Sequence, residues 1–167
     1  MKTLEEQLTN YARYHRSRRN ILTHFVGIPA IVFAAICLLA RTEFVLGTVV
    51  LNGAYIAVAL CVIFYLRLSG SLGAIMAAIL IVMTVAAMPV ASLPMSGWLG
   101  ISLSLFIVGW VFQFIGHYFE GRKPAFVDDL VGLIIGPLFV LAEALFLLGY
   151  YQSLADYIDQ HAGPVQP

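Results

Sequence analysis

The sequence predicts an all-α fold: an integral membrane bundle of about five transmembrane helices, preceded by an N-terminal amphipathic helix. Of its 167 residues, 61% are apolar and only 11% are charged, whereas soluble domains average about 45–50% apolar and about 25% charged residues. Several apolar runs reach the roughly 20 residues that a helix needs to cross a bilayer. Strands are not expected, because apolar and polar residues do not alternate and an open sheet edge is not satisfied in lipid.

The first twenty residues predict an amphipathic helix at the membrane interface. Thr3 and Glu6 have the spacing of a capping box, which starts a helix. The apolar face then repeats at helical intervals. It consists of Leu4, Leu8, Tyr11 and His15.

Five apolar runs separated by short polar breaks predict the spans, at roughly 23–40, 44–66, 71–92, 97–118 and 126–150. Residues 151–167 are expected to form a polar tail, and residues 1–167 a single membrane domain. The two cysteines, Cys37 and Cys61, lie inside apolar runs, where a thiol behaves as a small hydrophobe rather than as a disulfide partner. The formal net charge is zero, which gives no indication of a nucleic-acid partner.

The distribution of basic residues predicts the orientation. With a cytoplasmic N-terminus, eight of the nine basic residues fall on the cytoplasmic side and only Arg41 falls on the other. The positive-inside rule favours this arrangement, and five spans would place the C-terminus outside. A bacterial inner membrane is favoured, although an endoplasmic reticulum membrane would show the same bias.

This topology places three histidines at one membrane face. His15 precedes the first span, His24 begins it and His117 ends the fourth span. His161 lies in the polar tail, where no specific role is expected. A lone histidine at a helix end is usually an interfacial residue, but clustering at one level favours a metal site.

Two carboxylates compete as further metal ligands. Glu120 follows His117 at i, i+3, which places both on one helix face. Glu143 lies inside an apolar span, where a carboxylate is costly and indicates a function. It would return towards the histidines only if Gly136 and Pro137 break the helix. Two histidines and a carboxylate suit non-haem Fe(II), and zinc remains the competing ion.

Two stretches carry a resemblance to a known family. "YHRSRRNILTHFVGIP", residues 14–29, and "QFIGHYFEGRKPAFVDDL", residues 113–130, are similar to the two signature blocks of the Mpo1-like family. The resemblance implies an Fe(II)-dependent dioxygenase of the membrane that acts on a 2-hydroxy fatty acid and O2. The acid would lose one carbon as CO2.

Carried over by position, the resemblance implies a catalytic and metal-binding set. Glu143 joins it through a third, weaker block, and Ser17 and Arg18 stand where a common family pattern has an Asp-Pro pair. Basic residues near the histidines would hold the substrate carboxylate, for which arginine offers a planar grip. The implied catalytic residues are His15, His24, His117 and Glu120; the substrate-binding residues are Arg16, Arg19, Arg122 and Lys123.

Two other functions remain open. A zinc-dependent membrane hydrolase would use the same histidines, and its activity would persist without oxygen. A non-catalytic carrier or structural membrane protein would be insensitive to their replacement. The sequence leaves the oligomeric state open.

Overall fold

The computed structural model describes residues 2–124 and 131–167. Within these ranges the chain is predominantly helical, as predicted, with seven helices and one two-stranded hairpin. The elements are α1 (Leu4–Ala12), α2 (Arg18–Leu39), β1 (Glu43–Leu46), β2 (Val49–Asn52), α3 (Gly53–Leu68), α4 (Gly70–Ala91), α5 (Met95–Glu120), α6 (Gly132–Leu147) and α7 (Gln152–Ala162).

The N-terminal helix confirms the predicted capping box but is shorter than predicted. Glu6 N–H donates to Thr3 Oγ1 at 3.2 Å, and Thr3 N–H donates to the Glu6 carboxylate at 2.9 Å. The helix ends at Ala12, and a turn leads directly into α2. Because α1 packs on α6 and α7, its apolar face is part of a protein core.

The predicted second span, 44–66, is wrong in its first part. Residues 43–52 form an antiparallel hairpin with Glu43 opposite Asn52, and Gly47 takes the positive φ of +63° that its turn requires. β-branched residues favour the extended backbone. Asn52 then accepts a hydrogen bond from Ala54 N–H, so the helix begins only at Gly53.

Within residues 2–124 and 131–167, three helices are long and apolar enough to cross a membrane: α2, α4 and α5. The number rises to four if the bent pair of α6 and α7 is one span, while α3 has only 16 residues. Among the described residues, five spans are therefore not confirmed. The long apolar helices support association with a membrane.

The last apolar segment does not follow the predicted course. Residues 126–130, where the predicted fifth span begins, lie outside the described residues. Helix α6 runs without interruption through Gly136 and Pro137, so the break considered there does not occur. The chain bends instead by 116° between α6 and α7, where Gly149 and Tyr151 have positive φ.

The bend returns the C-terminal segment to the start of α2. Gln166 N–H donates to Arg16 O at 2.7 Å, and Arg18 N–H donates to Gln166 O at 2.8 Å. The expected C-terminus on the opposite face is therefore wrong. Most of the predicted polar tail is the amphipathic helix α7, whose Leu154 and Ile158 are buried.

The chain divides into two compact units. One consists of Met1–Pro29 and Trp110–Pro167, and the other of Ala30–Gly109. In the second unit α3 packs on α4, and Gly73 allows this approach because a Cβ there would lie 2.6 Å from Tyr65 O. All the predicted site residues belong to the first unit.

Candidate metal centre

The three histidines predicted to share one level come together in the first unit. One ring nitrogen from each lies within 4.8 Å of the others. His15 and His24 are fully buried, and His117 is 7% exposed. Two neighbouring parts of the chain, the turn after α1 and the second turn of α2, thus meet the distant end of α5, and their imidazoles come to one point.

Backbone carbonyls fix the orientation of two of the rings. His15 Nδ1 lies 2.8 Å from Tyr11 O, and His24 Nδ1 lies 2.9 Å from Asn20 O. A carbonyl oxygen only accepts, so each Nδ1 carries the proton and donates it. In the neutral ring the other nitrogen, Nε2, is then a bare lone pair.

The two bare nitrogens face each other. His15 Nε2 and His24 Nε2 are 3.1 Å apart. Burial, with a further contribution from the charge of His24, holds the pKa of His15 well below its usual value, so this ring is neutral at neutral pH. Two lone pairs at this distance repel unless a cation lies between them.

His117 completes the group from α5. Its ring centroid lies 4.9 Å from that of His15 and 5.2 Å from that of His24. Its Nδ1 is buried without a hydrogen-bond partner among the described residues. The preceding Gly116 allows α5 to approach α2, because a Cβ there would lie 3.1 Å from His24 Nδ1 and closer still to Thr23 and Asn20.

The donor set fits a divalent transition metal. Imidazole nitrogens bind zinc at about 2.0–2.1 Å, so two ligands of one ion stand roughly 3.0–3.4 Å apart. The His15–His24 separation of 3.1 Å lies in that range, and a ring nitrogen of His117 lies within 4.8 Å of both. A buried ring nitrogen without a partner is the kind of atom that a bound ion would satisfy.

The Glu120 carboxylate accepts its hydrogen bonds from residues at the start of α2. Oε1 accepts from Arg16 N–H at 2.9 Å, and Oε2 accepts from Ser17 N–H at 2.8 Å and from Asn20 Nδ2 at 2.9 Å. Among the described residues, the group close enough to share an ion contains the three histidines and neither Glu120 nor Glu143.

Glu143 and Arg16 face each other beside the turn that carries His15. Glu143 Oε1 lies 3.7 Å from Arg16 Nη2. Arg16 Nη1 also donates to Asp159 at 3.0 Å and to Gly163 O at 2.6 Å. The Arg16 guanidinium is buried in these internal contacts, which tie the turn to α7.

The other predicted substrate-binding residues are exposed near the same helix ends. Arg19 lies over the Phe119 ring, 5.7 Å from its centroid. Arg122 donates to Arg13 O at 2.8 Å, and Lys123 follows it. His161 stacks on Tyr157 with 4.1 Å between the centroids, apart from the three histidines.

Sequence reasoning missed Tyr11 and Asn20 as supports of the centre. Tyr11 stacks on His15, with ring centroids 4.1 Å apart and planes inclined by 2°. Asn20 is fully buried between the Glu120 carboxylate and His24. Each stands four residues before a histidine, the spacing at which a backbone carbonyl meets a side chain on the next turn. This spacing of four residues is the sequence feature that could have identified Tyr11 and Asn20.

Comparison with known proteins gives a consistent result. Residues 1–148 match the family described as "Mpo1-like: 2-hydroxy-palmitic acid dioxygenase Mpo1-like". The chain is 35% identical over 157 residues to the protein named 2-hydroxy-palmitic acid dioxygenase MPO1 of Saccharomyces cerevisiae, covering 90% of this chain and 84% of that protein. No solved structure matches. On the family match and this identity, the chain belongs to the Mpo1-like family.

Proposed function

We propose that this protein is an iron(II)-dependent dioxygenase that converts 2-hydroxy fatty acids into fatty acids one carbon shorter. Its membership of the Mpo1-like family and its yeast relative's name support a dioxygenase. The observation that carries the metal assignment is the buried group of three histidines, in which two bare nitrogens face each other at 3.1 Å.

The proposed reaction consumes one O2 for each 2-hydroxy acid. The bond between C1 and C2 breaks, C1 leaves as CO2, and C2 becomes the carboxyl carbon of the shorter acid. One water is also formed, so RCH(OH)COOH and O2 give RCOOH, CO2 and H2O. Bound iron would supply the redox chemistry that couples the acid to O2.

The chain would supply a neutral ligand set. His15, His24 and His117 would hold the ion through imidazoles that carry no charge, so the protein's own ligands would leave the two positive charges of the ion unbalanced. The negative charge of the substrate carboxylate would complement such a site. Glu120 and Glu143 stand outside this ligand set because their carboxylates are occupied by other groups.

Basic residues near the helix ends would receive the substrate carboxylate from the membrane surface. Arg19, Arg122 and Lys123 are exposed there and suit this role. Arg16 holds the turn that carries His15 instead, because two carboxylates already face its guanidinium. The acyl chain would remain among the apolar helices and the surrounding lipid.

Product analysis tests the proposal. Detergent-purified protein supplied with Fe(II), O2 and 2-hydroxypalmitate is expected to form pentadecanoic acid, detected by mass spectrometry. The reaction without O2 and the His117→Ala variant should form none. Iron-loaded wild-type protein that forms no shortened acid would contradict the substrate assignment.

A zinc hydrolase remains the second candidate, because three histidines with an open position also form a hydrolytic zinc site. The two functions differ in their need for oxygen. Turnover that continues in anaerobic buffer, with zinc restoring the metal-free protein and iron not, would favour hydrolysis and contradict the dioxygenase.

The proposed location is a membrane, with the three histidines at its cytoplasmic face. The excess of basic residues near the N-terminus supports this orientation. The contact of Gln166 with Arg16 and Arg18 supports a C-terminus on the same side. Terminal epitope tags should therefore both be cleaved by protease in sealed inverted vesicles, and protection of one tag alone would contradict the shared side.

A further inference from the structure

The carboxylate of Glu120 joins all three chain segments that carry the histidines. It is the last residue of α5, three positions after His117. Oε1 accepts from Arg16 N–H, next to His15, and Oε2 accepts from Ser17 N–H. Three charge-assisted hydrogen bonds of 2.8–2.9 Å, counting that from Asn20 Nδ2, thus converge on one side chain. Hydrogen bonds to an ionised acceptor are roughly twice as strong as neutral ones.

The position of this carboxylate follows from the start of α2. The amides of Arg16 and Ser17 come just before the first helical residue, Arg18, where N–H groups have no partner within the helix. The positive end of the helix dipole also favours an anion there. Glu120 thus accepts from the N–H of Ser17, the residue before α2, as a glutamate of the helix's own first turn does in a capping box.

Asn20 carries the connection on to the second histidine. Its Nδ2 donates to Glu120, and its backbone oxygen accepts from His24 Nδ1 at 2.9 Å. The same Nδ2 also lies 3.3 Å from Tyr14 O, in the turn before His15. Movement of Glu120 would therefore displace the turn with His15 and the helical turn with His24 together.

We infer that Glu120 is a positioning residue of the metal centre and not one of its ligands: it fixes the start of α2 to the end of α5 and so holds the three imidazoles at binding distance. The inference rests on the proposed metal site. It assigns this carboxylate a different role from the one that its i, i+3 spacing from His117 predicted.

Cobalt binding to the metal-free protein tests this role without relying on turnover. Co²⁺ is titrated into Glu120→Gln, Glu120→Ala and the control Glu5→Gln, which changes an exposed carboxylate of α1. Loss of an outer partner of a metal site typically costs about 10–100-fold in metal affinity. We expect a loss of that size for Glu120→Ala, a smaller loss for Glu120→Gln and none for Glu5→Gln.

The visible spectrum of bound Co²⁺ separates positioning from ligation. A positioning residue leaves the same nitrogen ligands, so saturated Glu120→Gln should show the wild-type spectrum. Hydrogen–deuterium exchange at Arg16 and Ser17 should be faster in the same variant. A changed spectrum at saturation would identify Glu120 as a ligand, and wild-type affinity in both Glu120 variants would also overturn the inference.

His117→Ala separates this inference from the proposed function. If His117→Ala binds Co²⁺ as tightly as wild type, the metal site itself is wrong. If it loses Co²⁺ while the Glu120 variants keep wild-type affinity, only the positioning role is wrong. Should Glu120→Ala fail to fold by circular dichroism, the affinity, spectrum and exchange of Glu120→Gln decide the question.

Discussion

The two compact units differ in the polar and charged side chains that they bury. The unit Ala30–Gly109, all of which is described, buries Thr84 and Ser102 together with Tyr65 and Cys37. It buries no histidine, arginine, lysine or carboxylate side chain. The polar residues buried in the described part of the other unit are Gln7, Thr9, His15, Arg16, Asn20, His24, Gln113, His117 and Glu143.

The difference indicates which unit contains the candidate functional site. A buried polar group without a partner costs about 1–3 kcal/mol, so an apolar helical protein keeps such groups few. Thr84 follows this rule by donating to Leu80 O in its own helix. The described part of the first unit instead buries charged and ionisable side chains, among them the three imidazoles that meet at one point, and such residues in an apolar helical protein indicate a functional site.

Replacing one histidine should have the largest effect. His24→Ala removes one of the three proposed ligands, so iron affinity should fall by more than about 100-fold, beyond the range seen for outer partners. Thr84→Ala, a buried polar change in the other unit, should leave iron binding unchanged. Iron per folded chain, measured after gel filtration, checks both variants. Equal iron contents in His24→Ala and Thr84→Ala would contradict the assignment of the metal site to the first unit.

Closing the space at Gly116 should have a smaller effect on the same centre. A methyl group there meets Thr23, Asn20 and His24, and overpacking of this kind typically costs about 1–3 kcal/mol. Gly116→Ala should lower both the thermal midpoint and the metal affinity.

Gly100 provides the matched control on the same helix, because a Cβ there meets nothing within 4 Å. Gly100→Ala should be neutral or stabilising by up to about 1 kcal/mol, as alanine favours a helix over glycine. Differential scanning fluorimetry of the two variants with and without Co²⁺ makes the comparison. A Gly116→Ala variant as stable as Gly100→Ala would contradict the close approach of α5 to α2.

Weakening the contact between α7 and Arg16 should have the smallest effect on the free energy of unfolding. Asp159→Asn weakens the pair with Arg16, whose atoms are 3.0 Å apart. Because the Asp159 side chain is 50% exposed, solvent screening limits the expected loss of unfolding free energy to less than about 1 kcal/mol. Asp156→Asn, an exposed change on the same helix, should have no effect. A large loss of iron in Asp159→Asn would show that α7 holds the centre far more strongly than this pair indicates.

Much of the centre was predictable from the sequence. Apolar runs predict α2, α4 and α5 because hydropathy decides which helices suit a bilayer. The bias of the basic residues predicts that His15, His24 and His117 lie at one level. Their closeness follows because the turn that carries His15, the start of α2 and the end of α5 meet at the same place.

The failures have physical causes as well. A short apolar run such as 44–52 does not distinguish strand from helix by periodicity, and its turn rests on one positive φ, at Gly47. The bend after α6 rests similarly on Gly149 and Tyr151. The contacts of Glu120 with residues about a hundred positions away leave no local pattern, whereas its spacing from His117 suggested a ligand.

The ligand set itself is the most direct test of the account. X-ray absorption spectroscopy of the iron-loaded protein, without substrate, counts imidazole ligands through their characteristic outer-shell scattering. The account predicts three imidazoles in wild type and two in any iron that His117→Ala retains. Two imidazoles in the wild-type protein, with a carboxylate among the remaining ligands, would contradict it.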